Sequence, residues 1–502
     1  MTDQLQFCSV PEPLPRRAAV TPRLAREMPR LAVDRMGLGQ LVVMLVAGTV
    51  LSVAAISVAL ISIFALGSQP SPIHAVRVGP LTAYFSGQMP VLTLVIVAIA
   101  GIFAVAVAAV SLEVGATLLM TLSPRRRALG AHRGSRVSPA GPATPVRVTV
   151  VIPAYDEEAM LGATLDGLEA QDRTPDRILV VADNCTDRTA HIALERGCEV
   201  FETVNNRAKK AGALNQALSV LLRTTGPDDA ILVLDADTVL FPGFIEAAAA
   251  ELEADSELAA VGARFWGGPG SGILGQFQRS EFLRYSAQIR ARRGRVFVLT
   301  GTATLFRADA LLDVAAARGV YIPGETGQVY DTSALTEDNE ITLALKSLGA
   351  EITSPDECEV VTEIMPTWKM LWRQRKRWQR GALENLGGYG ITASTVRYWG
   401  QQFGIGYGIV ALGSAIVLMA VTALSVAAWI WYPFWMVVTA VFIIERTITC
   451  WRGGWGARVL AVLLIPELAY AVFLQAVFVK CLFDITFSRA AAWSHVGEGV
   501  TS

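Results

Sequence analysis

Ala230-Ile231-Leu232-Val233-Leu234-Asp235-Ala236-Asp237 runs from an unbroken apolar stretch straight into a pair of carboxylates. A short apolar run closed by acids reads as a strand buried on both faces, because a half-exposed strand would alternate and a helix would be longer. An Asp-x-Asp at the carboxyl end of such a strand puts both side chains on one side of a turn. One can then ligate Mg2+ or Mn2+ while the other orients a water or a ribose hydroxyl, since these hard cations take oxygen ligands and substrate phosphates. Alone the motif is weak, because Asp also serves turns; its place at a strand end makes it informative.

Working outward, residues 146–152 and 178–182 are further apolar, β-branched runs, and residues 159–171 and 211–222 show helical spacing. Strand and helix alternate, which predicts a mostly parallel sheet covered on both faces, with ligands beyond the carboxyl ends of the strands. The polar residues fall there: Pro153-Ala154-Tyr155-Asp156-Glu157-Glu158 after the first strand, Asp183-Asn184-Cys185-Thr186-Asp187 after the second, Asp235-Ala236-Asp237 after the fourth. These strand ends are expected to converge on one cleft.

Each cluster has a chemical reading beside a plainer one. Asp183, with the strand end Pro153 to Tyr155, is placed to bind a uracil or its ribose, or to cap a helix starting near Thr186. Lys210 opens a helix, where an ammonium and free backbone N–H groups favour a pyrophosphate. Glu337-Asp338 follows Thr336, a natural cap, so its acids could serve the helix dipole. They could equally provide a general base, Asp338, with Glu337 and Glu340 raising its proton affinity. In residues 368–381, Arg and Trp mix as in a helix lying at a membrane surface, with Arg373, Lys376 and Arg380 toward headgroups. Gln374, Arg377 and Trp378 share about one turn that can face a pocket, an arginine suiting a diphosphate and a tryptophan a sugar face.

With 502 residues, 52% hydrophobic and 17% charged, the chain is too apolar for an ordinary soluble enzyme and too charged to be membrane alone. Residues 41–66 hold no charge and residues 91–122 only Glu113, each long enough to cross a bilayer; residues 403–444 suffice for two crossings with a turn near 429–433. A further span is read over residues 459–482, interrupted by Pro466, Glu467 and Lys480. Arginines crowd both outer flanks of the first pair of spans, whereas the loop 68–90 holds only Arg77, so the central block should be cytoplasmic. The scattered Cys8, Cys185, Cys198, Cys358, Cys450 and Cys481 indicate neither zinc nor a disulfide framework. The basic aromatic stretch lies against a membrane span in a chain of net charge −1, which argues against nucleic acid as a partner.

At these residues the chain resembles the processive branch of family 2 glycosyltransferases, the cellulose, chitin, hyaluronan and poly-N-acetylglucosamine synthases, over residues 147 to 400 and the flanking spans. The resemblance implies a Rossmann-like α/β GT-A catalytic domain inserted between about five transmembrane helices. It implies inverting transfer from a UDP-sugar, with N-acetylglucosamine the expected sugar, onto a growing polysaccharide that is exported; the alternative is transfer of a single sugar to a lipid or other membrane acceptor. Carried over, Pro153, Ala154, Tyr155, Glu157, Asp183, Lys210, Asp235, Ala236 and Asp237 would bind the nucleotide-sugar, and Asp235 and Asp237 a Mg2+ or Mn2+ ion. Asp338 would be the base, and Glu337, Gln374, Arg377 and Trp378 would meet the diphosphate and acceptor. Residues 299–304 resemble the acceptor-side strand. Glu113, Glu467 or Lys480 could face an export path, or pair with one another.

The resulting layout is a basic arm (1–40), two spans (41–122), a linker (123–146), the GT-A domain (147–365), interfacial helices (366–402), and three spans with a tail (403–502). The expected location is the plasma membrane, with the bilayer and accessory export proteins as partners. The layout looks most like bacterial poly-N-acetylglucosamine synthases; a transporter or inactive binder would have no use for an acid poised beside an acceptor.

Overall fold

The computed structural model describes residues 73–78, 80–86, 145–291, 294, 296–425, 430–431 and 433–487. Residues 1–40, the two stretches expected to span a membrane (41–66 and 91–122) and nearly all of the expected linker lie outside the described residues. The rest falls into two compact units, one holding 145–395, the other 73–86 with 396–487. In the latter, β1 (Ile73–Val78) and β2 (Leu81–Ser86) form an antiparallel hairpin within the expected connecting loop.

The larger unit begins with strict alternation: β3 (Arg147–Ala154), α1 (Leu161–Glu169), β4 (Arg177–Ala182), α2 (Thr189–Glu195), β5 (Glu199–Glu202), α3 (Lys209–Leu221) and β6 (Asp229–Leu234). Next come β7 (Val239–Leu240), α4 (Phe244–Ala254), β8 (Leu258–Gly262), β9 (Arg264–Gly267), α5 (Gly272–Ala291), β10 (Ala303–Arg307) and α6 (Ala308–Ala317). The unit ends with α7 (Glu337–Ser347), β11 (Glu351–Thr353), β12 (Glu359–Thr362) and α8 (Trp368–Tyr389). The main sheet has the order β11-β8-β10-β6-β3-β4-β5. It is parallel as expected except for β10, which runs antiparallel to both neighbours.

That exception shapes the site. Ala303 pairs with Leu234, so the residues leading into β10 lie beside those leaving β6, and the Asp235 N–H donates to Thr302 O at 2.8 Å. Residues 299–302, expected to be strand, are therefore the loop before it. Val148, Val150, Ile152, Val180, Leu232 and Leu234 are fully buried against Leu161, Leu165 and Leu168 of α1 and Phe244 and Ala248 of α4. Each fully buried aliphatic or aromatic side chain contributes about 1.5–3 kcal/mol, so the strand ends project from a rigid layer.

A second sheet, β7-β12-β9, stands beside the first. In it β12 is antiparallel to β7, with Val361 opposite Val239. Continuing that register brings Glu363, just past β12, opposite Asp237, just before β7.

In the other unit α9 (Val396–Ser425) and α10 (Pro433–Thr449) flank the expected turn, where β13 (Ile430–Trp431) joins β2 in parallel. The stretch 459–482, expected as one span, is divided: α11 (Gly454–Leu463) stops at Leu464, whose φ is 54°, and α12 (Ile465–Thr486) starts anew. Pro466 sits in the first turn of α12, where its missing N–H costs no hydrogen bond. Among the described residues α12 is the one helix long and apolar enough to cross a membrane. Its charged residues have partners: Lys480 pairs with Asp484, and Glu467 lies 3.7 Å from Arg446.

Candidate active site

The turn after β6 is held by the Thr238 N–H, which donates to Asp235 O at 3.1 Å. Into it reaches Lys210 from the first turn of α3. Its Nζ lies 2.6 Å from Asp235 Oδ1, 3.0 Å from Glu337 Oε1 and 3.1 Å from Gly301 O. One ammonium thus joins the Asp-x-Asp turn, the loop before β10 and the acid pair opening α7. Burial works to lower the affinity of Lys210 for its proton, but Asp235 and Glu337 overcome it and hold the lysine charged.

Asp183 is tied into the same framework. Its Oδ1 accepts from Thr203 Oγ1 at 2.7 Å, Asn206 Nδ2 at 2.8 Å and Asn184 Nδ2 at 3.0 Å. Asn206 also donates to Lys209 O at 2.7 Å and accepts from the Ala208 N–H at 3.0 Å, which fastens the start of α3 to the end of β4. A Cβ at Gly212 would collide with the Asn206 side chain, so glycine is required there. The capping alternative for Asp183 is not what is found: α2 starts at Thr189, and Asp187 accepts from its N–H at 2.9 Å.

Around Asp235 the acids are crowded. Burial, Asp237 and Glu337 push its carboxyl up to about 6 against the pull of Lys210. Burial also raises Asp237, with Glu363 adding to it, and burial with Asp237, Glu363 and Asp235 drives Glu157 up to about 7. Glu363, a residue that no sequence motif marks, is itself raised by burial. Carboxylates held in excess of local positive charge fit a hard divalent cation, which would relieve their repulsion. A separate group, Asp156, Cys185 and Asp187, has ligand atoms within 4.8 Å of one another, but its carboxylates are engaged by the Thr186 and Thr189 backbone N–H groups.

Of the strand-end residues, Tyr155 is exposed at the rim, whereas Ala154 and Ala236 are buried. The Ala154 carbonyl accepts the Asp183 N–H at 2.8 Å and the Ala236 carbonyl accepts Thr164 Oγ1 at 2.7 Å, so both shape turns through the backbone. Pro153, one residue before the end of β3, pairs with Val181.

Asp338 lies in the first turn of α7. Its Oδ1 accepts the Asn339 N–H at 2.7 Å, and a Cβ on Gly301 would stand 3.2 Å from Oδ2, so glycine lets the backbone close over the carboxylate. Burial and then Glu337 raise Asp338 to about 6, opposed by Lys210 and Arg377. Burial would raise Glu337 too, but Lys210, the helix backbone and Arg377 bring it below its ordinary value. These environments push two adjacent carboxyls apart, so that of the two Asp338 has the higher affinity for a proton.

Two expectations here need correction. Glu340 is engaged elsewhere and is not among the main influences on Asp338: Arg318 grips it through two 2.7 Å bonds, both side chains being buried, and Tyr389 donates to it at 2.5 Å. Thr336 occupies the cap position, but its hydroxyl makes no cap bond and accepts instead from Asn385 Nδ2 at 3.2 Å.

On α8, Thr367 caps the start by accepting the Met370 N–H at 3.3 Å. Arg375, buried, bonds Glu281 at 2.9 Å and Gln374 Oε1 at 2.6 Å, and its guanidinium lies 4.3 Å from the Trp378 ring centroid. Gln374 and Trp378 are therefore held by an arginine between them. Arg377 acts electrostatically on Glu337 and Asp338. Arg380, expected at headgroups, is buried and bonds Glu384 at 2.7 Å.

Residues 145–381 match the family described as glycosyltransferase-like family 2. The chain is 26% identical over 249 residues to a poly-β-1,6-N-acetyl-D-glucosamine synthase of Staphylococcus aureus (strain COL), a match covering 48% of this chain and 55% of that protein. It is 28% identical over 249 residues, 47% of this chain and 55% of the relative, to a probable glycosyltransferase, YdaM, of Bacillus subtilis (strain 168). The chain spans about half the length of these curated relatives. A mannosyltransferase from Pyrobaculum calidifontis, solved with GDP-mannose and Mn2+, superposes with a TM-score of 0.46 at 18% identity, over 77% of this chain and 99% of that one.

Proposed function

Because residues 145–381 are a family 2 glycosyltransferase domain, we propose that this protein is a membrane-embedded, inverting hexosyltransferase. It transfers a sugar from a UDP-sugar, UDP-N-acetylglucosamine first among candidates, to a hydroxyl of a growing polysaccharide, and couples synthesis to export. The observation that carries this reading is the Lys210 bridge, which joins Asp235 to Glu337 and thereby gathers the Asp-x-Asp turn and the Asp338 helix into one cleft. The sugar follows the name of the S. aureus relative. The membrane placement rests on the apolar runs, α12 among them, with residues 147–365 in the cytoplasm.

In this reading Asp183 and the strand end Pro153 to Tyr155 bind the nucleoside, with Ala154 and Ala236 shaping their turns. Asp235 and Asp237, with Glu157 and Glu363 nearby, would hold a Mg2+ or Mn2+ ion. When bound, it neutralises charge on the diphosphate. Asp338 takes the proton of the acceptor hydroxyl while that oxygen forms the new bond to the anomeric carbon. The bond from that carbon to the diphosphate oxygen breaks on the opposite face, and its electron pair leaves with UDP. Lys210 and Arg377 offer positive charge where the leaving group gains negative charge. Trp378, with its ring steadied by Arg375, stacks on the acceptor sugar, and Gln374 and Glu337 border it.

Purified protein in nanodiscs, given a panel of UDP-sugars with Mn2+, tests the proposal through UDP release and product size together. A long polymer from one donor is expected. Short or lipid-linked product would shift the assignment to single-sugar transfer, and no UDP release from any donor would overturn it.

A further inference from the structure

The chemistry proposed for α8 uses the half that carries Gln374 and Trp378; the other half makes a joint with α7. Gly381, Asn385 and Tyr389 follow Gln374 and Trp378 at steps of three or four residues, so all share one stripe of the helix. At Gly381 the approach is so close that a Cβ would collide with the Thr336 side chain. One turn on, the buried Asn385 points its Nδ2 at Thr336 O (3.1 Å), Thr336 Oγ1 (3.2 Å) and Asn339 Oδ1 (3.1 Å). A further turn on, the Tyr389 hydroxyl donates to Glu340 at 2.5 Å. Thr336 and Asn339 bracket the Glu337-Asp338 pair. Thr336 O accepts the Glu340 N–H at 3.1 Å, which closes the first turn of α7, and the Asn339 N–H donates to Asp338 Oδ1 at 2.7 Å. One carboxamide thus grips the turn that presents Asp338.

We propose that Asn385 is a positioning residue for glycosyl transfer: by locking α8 to the first turn of α7, it sets the distance between the acceptor-binding Gln374 and Trp378 and the Asp338 carboxylate. The inference rests on the roles proposed above for those three residues. The stretch of helix from Asn385 back to Trp378 is a stiff arm of about 10 Å, so a slip at the joint is carried to the acceptor end. Among the described residues the Asn385 side chain bonds only Thr336 and Asn339. It bonds none of the elements proposed to hold the nucleotide, the ends of β3, β4 and β6 and the start of α3. With the acceptor hydroxyl out of place, water takes the sugar instead. Its oxygen bonds the anomeric carbon, its proton goes to Asp338, and UDP leaves with free sugar as the other product.

The test is Asn385→Ala in the full-length protein, with Mn2+ and the UDP-sugar that the wild type turns over fastest. UDP release, sugar incorporated into product and free sugar are followed in the same samples, with rates expressed per mole of donor bound. Transfer is expected to fall about tenfold or more, since a displacement of about 1 Å can cost about a hundredfold. Donor KM should be unchanged and UDP release should fall less, the difference appearing as free sugar. A merely structural loss would lower transfer and release together. Gly381→Ala sets a methyl against Thr336 although alanine otherwise suits a helix better, and should uncouple the reaction in the same way. Adding Thr336→Ala, which removes the obstructing side chain, should restore much of the coupling. Either single variant with transfer and release in the wild-type proportion would overturn the inference and leave the proposed function standing. A wild type that releases no UDP would overturn both.

Discussion

The Lys210 ammonium lies 2.6 Å from Asp235 Oδ1, an ion pair that fastens the first turn of α3 to the end of β6. Both side chains are largely shielded, so Lys210→Met leaves Asp235 beside Asp237 and Glu337 without its cation. The variant should lose on the order of 1–3 kcal/mol of stability. Denaturant unfolding reads the loss, which should shrink when Mn2+ and UDP are both present.

Activity should depend on pH through Asp338. Its carboxyl is raised to about 6 and must be ionised to accept a proton, so kcat is full above that value and is lost as pH falls through it. In Lys210→Met the cation that favours the ionised base is gone, and the acid limb should move to higher pH. A kcat profile between about pH 5 and 8 checks both statements.

Much of this site was legible in the chain because its strands are local signals. Apolar runs ending at Asp183 and Asp235 announce themselves, and the Glu337-Asp338 pair lies at a visible helix start. Glu363 was not legible, since it reaches Asp237 only through the pairing of Val361 with Val239 across two strands distant in sequence. Glu340 was misread for a related reason: its proximity to Asp338 along the helix was visible, whereas Arg318, buried and bonded to it, is contributed by the α6 end. The break at Leu464 was hidden as well. A leucine at positive φ carries no mark in the sequence, and the conspicuous Pro466 belongs to the start of the next helix.

The Arg318–Glu340 pair holds α7 in place from behind. Both side chains are buried, at 0% and 1% exposure, so Glu340→Gln strands a guanidinium charge in the interior. The expected cost is about 3–5 kcal/mol, with much of it recovered when Arg318 is also replaced by Met. Denaturation midpoints of the two single variants and the double variant decide the matter.

Divalent cation should be obligatory. Chelation is expected to stop UDP release, and added Mn2+ or Mg2+ to restore it. Asp237→Asn should raise the cation concentration needed for half-maximal rate at least about tenfold, and Glu363→Gln by a smaller factor, as second-sphere groups do. Cation titrations of the rate distinguish the two.

The most direct measurement is the turnover of Asp338→Asn beside the parent, with donor binding followed in the same samples. Removing a general base costs about 10²–10⁴ in rate. The account predicts a loss in that range with UDP-sugar affinity intact. An Asp338→Asn protein that releases UDP as fast as the parent would contradict it.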